Sequence, residues 1–213
     1  MEREILDGVP AAAAIGNLRD LARINRLLGG FASLKAGILA LSGGAKDLRI
    51  LDVAAGAGHA ARWLERSLPG ASVITTDLRP DLLAFGVGAR VAADALALPF
   101  RDQSVDVVVS TLFLHHLEEA ALAAAIAEMH RVSRRGVVAI DLARHPIAYR
   151  FLHWSSPLFR WHWITRVDGA RSVQAAFTRK ELATLLASAG FPEATVRMEH
   201  PWFRLSVRIP RGG

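Results

Sequence analysis

The chain contains no cysteine, which excludes disulfides and any thiol chemistry. It also lacks an apolar run approaching the roughly 18 residues that a membrane-spanning helix needs, so no integral membrane association is expected. No charged start leads into an apolar signal core, and export is not expected; the cytoplasm is the default compartment. The histidines show no pair at metal-ligand spacing, which gives no support to a metal site. Acidic residues are in deficit, 20 against 26 basic ones, for a net charge of +6. Such an excess can serve nucleic acid or a membrane surface. The arginines are spread along the chain, however, with no run beyond Arg134-Arg135. That distribution describes a solvated basic surface, and no nucleic-acid partner is expected. Of the 213 residues, 52% are hydrophobic and 22% charged, which suits one globular domain with a substantial core.

One stretch organises the rest: Ile50-Leu51-Asp52-Val53-Ala54-Ala55-Gly56-Ala57-Gly58-His59. An apolar run ends in a turn of small residues, and a helical pattern follows from Ala60 to Ser67. Gly56 and Gly58 let backbone N–H groups approach a ligand, and the helix start adds a positive dipole end. By itself this could be an ordinary strand-to-helix turn.

The flanking chain supplies its context. Ala11 to Leu28 and Phe31 to Leu41 read as two helices separated by Gly29-Gly30. The first carries Asn17, Arg19, Asp20, Arg23, Asn25 and Arg26 on its polar side. From Arg49, short apolar strands alternate with helices. The strands are Ile50 to Val53, Val73 to Thr76, Val91 to Ala93, Val105 to Val109 and Val137 to Asp141. Pro80 opens one helix and Glu118 to Val132 forms another. Near-continuous apolar strands between helices predict a parallel sheet covered on both faces, with ligands bound outside the strands' carboxyl ends. Thr178 to Glu181 is a capping box that opens a further helix. Ala194 to Met198 and Phe203 to Ile209 read as a final hairpin at the sheet edge. The segment His145 to Asp168 breaks the rhythm. It holds Tyr149, Phe151, Trp154, Phe159, Trp161 and Trp163, and its position after a strand's carboxyl end predicts a lid or pocket wall.

Four segments in order, from roughly Arg49 to Asp141, resemble the motifs of class I S-adenosylmethionine-dependent methyltransferases of the small-molecule, type 11-like kind. They are the loop after Asp52, with Ala54 where the family carries a glycine; Asp77 at the end of the second strand; Asp94 within Ala92 to Phe100; and Asp106 to His116. The resemblance implies a doubly wound, Rossmann-like α/β fold with a seven-stranded, mainly parallel sheet, a terminal antiparallel hairpin strand and an N-terminal helical cap. It implies one domain over residues 1–213. Within it, the cap takes 1–44, the cofactor core 45–141, the aromatic lid 142–170, and the last helix and edge strands 171–213.

The cofactor so implied is S-adenosyl-L-methionine, held by Asp52, Ala54, Gly56, Gly58, Asp77, Leu78, Asp94, Ala95 and Ser110. Asp77 would accept the ribose hydroxyls and Asp94 the adenine amino group. Asp52 would steady the loop, since an unpaired buried carboxylate is costly. His59, at the helix start beside the loop, is a further candidate contact. Methyl transfer needs an aligned nucleophile and a dry site, and a hydroxyl acceptor also gains from a base near neutrality. His115 and His116 follow strand four, and His145 follows strand five; His115 is the preferred base. An aromatic lid suits a hydroxylated aromatic, polyketide-like or quinone-like acceptor.

Gly56 to Ala61 also fits G-x-G-x-x-A with Asp77 downstream, so an NAD(P)-dependent oxidoreductase is the principal rival. Against it stand Asp52, which would lie close under a pyrophosphate, and the Asp94 segment, which has no role there. A nucleic-acid or protein methyltransferase is a second alternative. Ser110-Thr111-Leu112-Phe113 lacks the acid- or amide-proline-proline-aromatic pattern of base-amino methylation. A non-catalytic scaffold would have no use for the intact acids and glycines.

Overall fold

The computed structural model describes residues 8–147, 150, 162–200 and 204–212. Two helices come first, α1 (Ala11–Leu27) and α2 (Gly30–Ser42), bent by 65° at the break between them. Strands and helices then alternate: β1 (Arg49–Val53), α3 (His59–Ser67), β2 (Ser72–Asp77), α4 (Pro80–Leu83), β3 (Ala89–Ala92), β4 (Val105–Thr111), α5 (Glu119–Val132) and β5 (Ser133–Leu142). A single 3₁₀ turn, Leu114–His116, links β4 to α5. The chain ends with α6 (Trp163–Ala175), α7 (Arg179–Ser188), β6 (Thr195–Glu199) and β7 (Arg204–Pro210).

The strands form one seven-stranded sheet in the order β3-β2-β1-β4-β5-β7-β6. Strands β1 to β5 are parallel, and β7 runs antiparallel to both β5 and β6. The final hairpin forms as expected, but only β6 stands at the edge; β7 is an inner strand. An inner strand must be apolar, and Leu205, Val207 and Ile209 are fully buried. Gly136 of β5 makes that pairing possible, because a Cβ there would fall 2.1 Å from the Ile209 carbonyl oxygen.

Strand alternation divides the core into two layers. Ile50, Val107, Val109, Val138 and Ile140 pack against Phe31, Leu34 and Ile38 of α2 and against Leu64 of α3. Leu51, Val53, Val108, Val137 and Ala139 face α5 and α7 through Leu122, Ile126, Met129, Leu182 and Leu186. Burial on both faces is why these strands read as unbroken apolar runs.

The expected two-helix cap therefore divides. Helix α2 is a sheet-covering core helix, since Phe31, Leu34 and Ile38 make one apolar stripe. Gly37 lets it lie close, as a Cβ there would stand 2.6 Å from Val138 Cγ1. Helix α1 alone overhangs the strands' carboxyl ends, and it buries polar Asn17, Asp20 and Asn25. Among the described residues no single helix is long and apolar enough to cross a membrane; the bent pair α1–α2 passes that test by length and composition only.

Most of the aromatic segment, with Tyr149, Phe151, Trp154, Phe159 and Trp161, lies outside the described residues. Its end is described: α6 starts at Trp163 and runs across the boundary expected at 170–171. It is tied to α1 by polar contacts. Asn17 Nδ2 donates to Thr165 Oγ1 at 3.0 Å, and Thr165 Oγ1 donates to Asp20 Oδ2 at 3.1 Å. The capping box forms at α7, where Thr178 and Glu181 bond each other's backbone N–H.

Candidate active site

A cavity of about 850 Å³ opens at the carboxyl ends of β1, β2, β4 and β5, beneath α1 and beside α6. Its floor is the loop after β1. That loop turns sharply enough to place Ala54 (φ 56°), Gly56 (φ 53°) and Gly58 (φ 67°) in the left-handed region. Gly58 is the N-cap of α3 and leaves its first turn without a side-chain cap. Ala54 holds a conformation that glycine adopts without strain and alanine does not. Leu112, just after β4 begins to turn away, is also left-handed at φ 55°. Ala54 and Leu112 both line the cavity, where backbone strain is characteristic of functional sites.

Asp77 closes β2 and holds the loop. Its Oδ2 accepts the Gly56 N–H at 2.7 Å, and its Oδ1 accepts the Arg79 N–H at 2.9 Å. Burial raises its pKa against the pull of these amides. Asp94 accepts the Leu96 N–H at 2.9 Å, which fixes its carboxylate at the rim. Leu78 and Leu96 flank these acids and are 70% and 40% exposed at the cavity wall. Ala95 lines the same wall.

Asp52 lies beneath the floor, fully buried in the centre of the sheet, between Thr75 of β2 and Val109 of β4. Neither carboxylate oxygen has a hydrogen-bond partner. Burial pushes its pKa up to about 7. The Ala61 backbone N–H pulls it down without completing a hydrogen bond, and the Asp77 charge pushes it further up. His59 begins α3 and lines the cavity with a buried, unpartnered Nε2; burial lowers its pKa.

His115 and His116 line the far side. Their rings lie 4.2 Å apart. His115 is 3% exposed, and its Nδ1 sits 2.5 Å from Asp141 Oδ1 at the end of β5. Asp141 also accepts the His115 and Leu142 backbone N–H groups, at 3.1 and 2.6 Å. Burial pushes the Asp141 pKa up, but the His115 charge and these bonds outweigh it and hold the group below the usual carboxylate value. Asp141 thus stays an acceptor, the proton of a neutral His115 resides on Nδ1, and Nε2 carries the lone pair.

Four expected residues do not line the cavity. Asp52, Gly58 and Ser110 support it from below, Ser110 by donating to the Val53 carbonyl at 2.9 Å. His145 does not line the cavity, and its Nδ1 accepts the Ile147 N–H at 3.2 Å. It is therefore left out of the machinery proposed below. The structure adds wall residues that the sequence reading did not assign to the site: Leu21 and Asn25 of α1, Phe31 of α2, and Arg171 and Ser172 of α6. Among the described residues no group of acids and histidines could hold a metal ion.

These features fit an adenosyl amino acid. Two fixed acids flanked by apolar side chains suit a ribose and a purine. A buried unpartnered carboxylate beneath the loop suits a ligand bearing an ammonium group. The sheet order, with β7 antiparallel between β5 and β6, departs from the all-parallel arrangement of nicotinamide-binding folds and sets that rival aside. Fold and site together define a class I methyltransferase.

Comparison with known proteins agrees. A family model described as a methyltransferase domain matches residues 51–140. The chain is 31% identical to malonyl-(acyl-carrier protein) O-methyltransferase of Methylococcus capsulatus, over 97% of this chain and 70% of that protein. It is 33% identical to demethylmenaquinone methyltransferase of Thermus thermophilus, over 79% of this chain and 86% of that protein. Among solved structures, magnesium protoporphyrin IX methyltransferase from Synechocystis, with bound S-adenosylhomocysteine, superposes with a TM-score of 0.59 at 16% identity, covering 87% of this chain and 84% of that one. An S-adenosylmethionine-dependent methyltransferase from Aquifex aeolicus gives 0.57 at 16% identity, covering 78% and 82%. The chain belongs to the S-adenosylmethionine-dependent methyltransferases.

Proposed function

We propose that the protein methylates a hydroxyl oxygen of a hydrophobic small molecule, aromatic, polyketide-like or quinone-like, in the cytoplasm. The observation that carries this reading is the buried His115–Asp141 pair at the cavity wall. S-adenosylmethionine supplies an electrophilic methyl group when bound. Asp77 would accept hydrogen bonds from the ribose hydroxyls, Asp94 from the adenine amino group, and Leu78 with Ala95 would pack on the base. Ala54 and Gly56 admit the cofactor close to the backbone, while Asp52, Gly58 and Ser110 keep that loop in shape from beneath. The acceptor lies between the strand-four loop and α6. His115 Nε2 takes the hydroxyl proton as the oxygen attacks, and Asp141 holds the ring in the required tautomer and stabilises the charge it gains. His116 packs on His115 and borders the acceptor. The aromatic composition of the segment after β5 suits a planar acceptor, so substituting Trp154 or Trp161 is expected to raise the acceptor's Michaelis constant. The cavity walls are mainly apolar, which favours a small molecule over nucleic acid. The reading is tested by supplying the cofactor with a panel of phenols and hydroquinols and identifying the product by mass and NMR. A methyl carried on oxygen is the expected result; methylation on carbon, or of none of the panel, would overturn it.

A further inference from the structure

Asn25 lies near the end of α1, is 3% exposed and lines the cavity. Its Oδ1 accepts from Arg204 Nη1 at 2.6 Å. Arg204 opens β7, is itself 2% exposed, and has a buried Nε without a partner. Among the described residues no carboxylate forms an ion pair with it. Both side chains press on the start of α2, where a Cβ at Gly30 would stand 2.5 Å from Asn25 Oδ1 and 3.4 Å from Arg204 Nη1.

A guanidinium offers donors and no acceptor. It therefore fixes which way the Asn25 amide faces: oxygen toward Arg204, NH₂ toward the cavity. No group among the described residues accepts from that NH₂. Burial pushes the Arg204 pKa down to about 10, with the Asp141 charge opposing it, so the group is cationic at neutral pH. Its hydrogen-bonded partner is a neutral amide, an expensive way to bury a charge. A neutral residue could tie β7 to α1 equally well. A cation adds positive potential to this wall of the cavity.

The wall belongs to the acceptor side. In the β5–β7 register Arg204 stands opposite Leu142, which lines the cavity. Leu18, two helical turns before Asn25, is the α1 residue that faces Gly56 of the loop. Asp77 and Asp94 lie on the opposite half of the sheet, at and beyond β2 and β3.

We infer that Asn25, oriented by Arg204, donates its amide hydrogen to an anionic oxygen of the acceptor, a carboxylate held at the cavity wall. This rests on the acceptor pocket proposed above. Arg204 is a positioning residue; Asn25 determines specificity. The site would select acceptors whose ring carries a carboxylate in addition to the hydroxyl to be methylated.

Calorimetry on protein saturated with S-adenosylhomocysteine tests this with two probes, 3,4-dihydroxybenzoate and catechol, which differ by one carboxylate. The wild type should bind the carboxylate-bearing probe at least tenfold more tightly. Asn25→Ala should erase that preference. Asn25→Asp should pair with Arg204, hold or raise the melting temperature, and reject the carboxylate probe. Equal affinity for both probes in the wild type would overturn the inference, as would an undiminished preference in Asn25→Asp. If Asn25→Ala weakens S-adenosylhomocysteine instead of the probe, the amide serves the cofactor and the inference is wrong. These are binding measurements without turnover, so they stand apart from whether His115 acts as a base.

Discussion

The Asp77 carboxylate accepts the Gly56 backbone N–H at 2.7 Å, joining the end of β2 to the loop after β1. Its second oxygen accepts the Arg79 N–H ahead of α4. One side chain therefore shapes two walls of the cavity while presenting its remaining lone pairs to it. This explains why a half-buried acid is held there although burial raises its pKa.

Asp77→Ala should weaken S-adenosylmethionine binding by roughly tenfold to a hundredfold, the effect of losing hydrogen bonds to a charged group. It should also loosen the loop, so that amide exchange at Gly56 accelerates. Isothermal titration with hydrogen-exchange mass spectrometry reads both. Wild-type affinity in Asp77→Ala would remove the residue from the cofactor site.

Asp52 makes stability depend on pH. Its folded pKa of about 7 lies above the ordinary aspartate value of 3.8. Between those values the folded protein keeps a proton that the unfolded chain has released. The contribution of Asp52 to stability without cofactor should therefore be full below about pH 4 and be lost as pH rises through about 7, by on the order of a few kcal/mol. Asn at this position cannot ionise. Urea denaturation should find Asp52→Asn more stable than wild type at pH 8 and little different at pH 4. A stability difference that does not change with pH would mean that Asp52 is already ionised and partnered.

The alternating apolar strands, the helix starts at Pro80 and Glu119, and the Thr178 capping box were legible in the sequence because each depends on local pattern. So was the sharp loop after β1, where small residues follow an acid-bearing apolar run. The pairing of His115 with Asp141 was not, since the two are 26 positions apart and meet only because β4 and β5 are neighbours. Arg204 falls within the strand expected at Phe203 to Ile209, and nothing in that pattern marks it as buried. It is buried because β7 inserts beside β5, which no local pattern encodes. His145, close in sequence to the end of β5, accepts the Ile147 N–H and is not among the cavity-lining residues.

Ala54 tests how much strain the loop carries. At φ 56° an alanine costs about 1 kcal/mol relative to an ordinary conformation. Glycine would remove that strain but lose a comparable amount to chain entropy. Ala54→Gly should therefore leave stability within about 0.5 kcal/mol of wild type and keep cofactor affinity. Ala54→Val adds a branched Cβ to the same backbone and should lose more than about 1 kcal/mol. Chemical denaturation of the two variants decides it. Substantial stabilisation by glycine would show that the loop holds more strain than its backbone geometry implies.

The final prediction separates chemistry from positioning at His115. The three hydrogen bonds that Asp141 makes among the described residues require acceptor oxygens: to His115 Nδ1, the His115 amide and the Leu142 amide. Asparagine offers one oxygen and one NH₂, so Asp141→Asn must place a donor against a donor or reverse the tautomer of His115. Its turnover should fall by roughly a hundredfold or more while affinity for S-adenosylhomocysteine is kept. His115→Ala should lose a similar factor with an ordinary phenol, whose pKa of about 10 leaves the proton in place at assay pH. With a nitrophenol-type acceptor, already ionised, no base is needed. The penalty of His115→Ala should then shrink toward unity, and Asp141→Asn should recover in parallel. Steady-state turnover across acceptors of graded acidity reads this directly. A penalty that stays constant as the acceptor becomes more acidic would mean that His115 only shapes the pocket, leaving alignment of acceptor and cofactor to supply the rate.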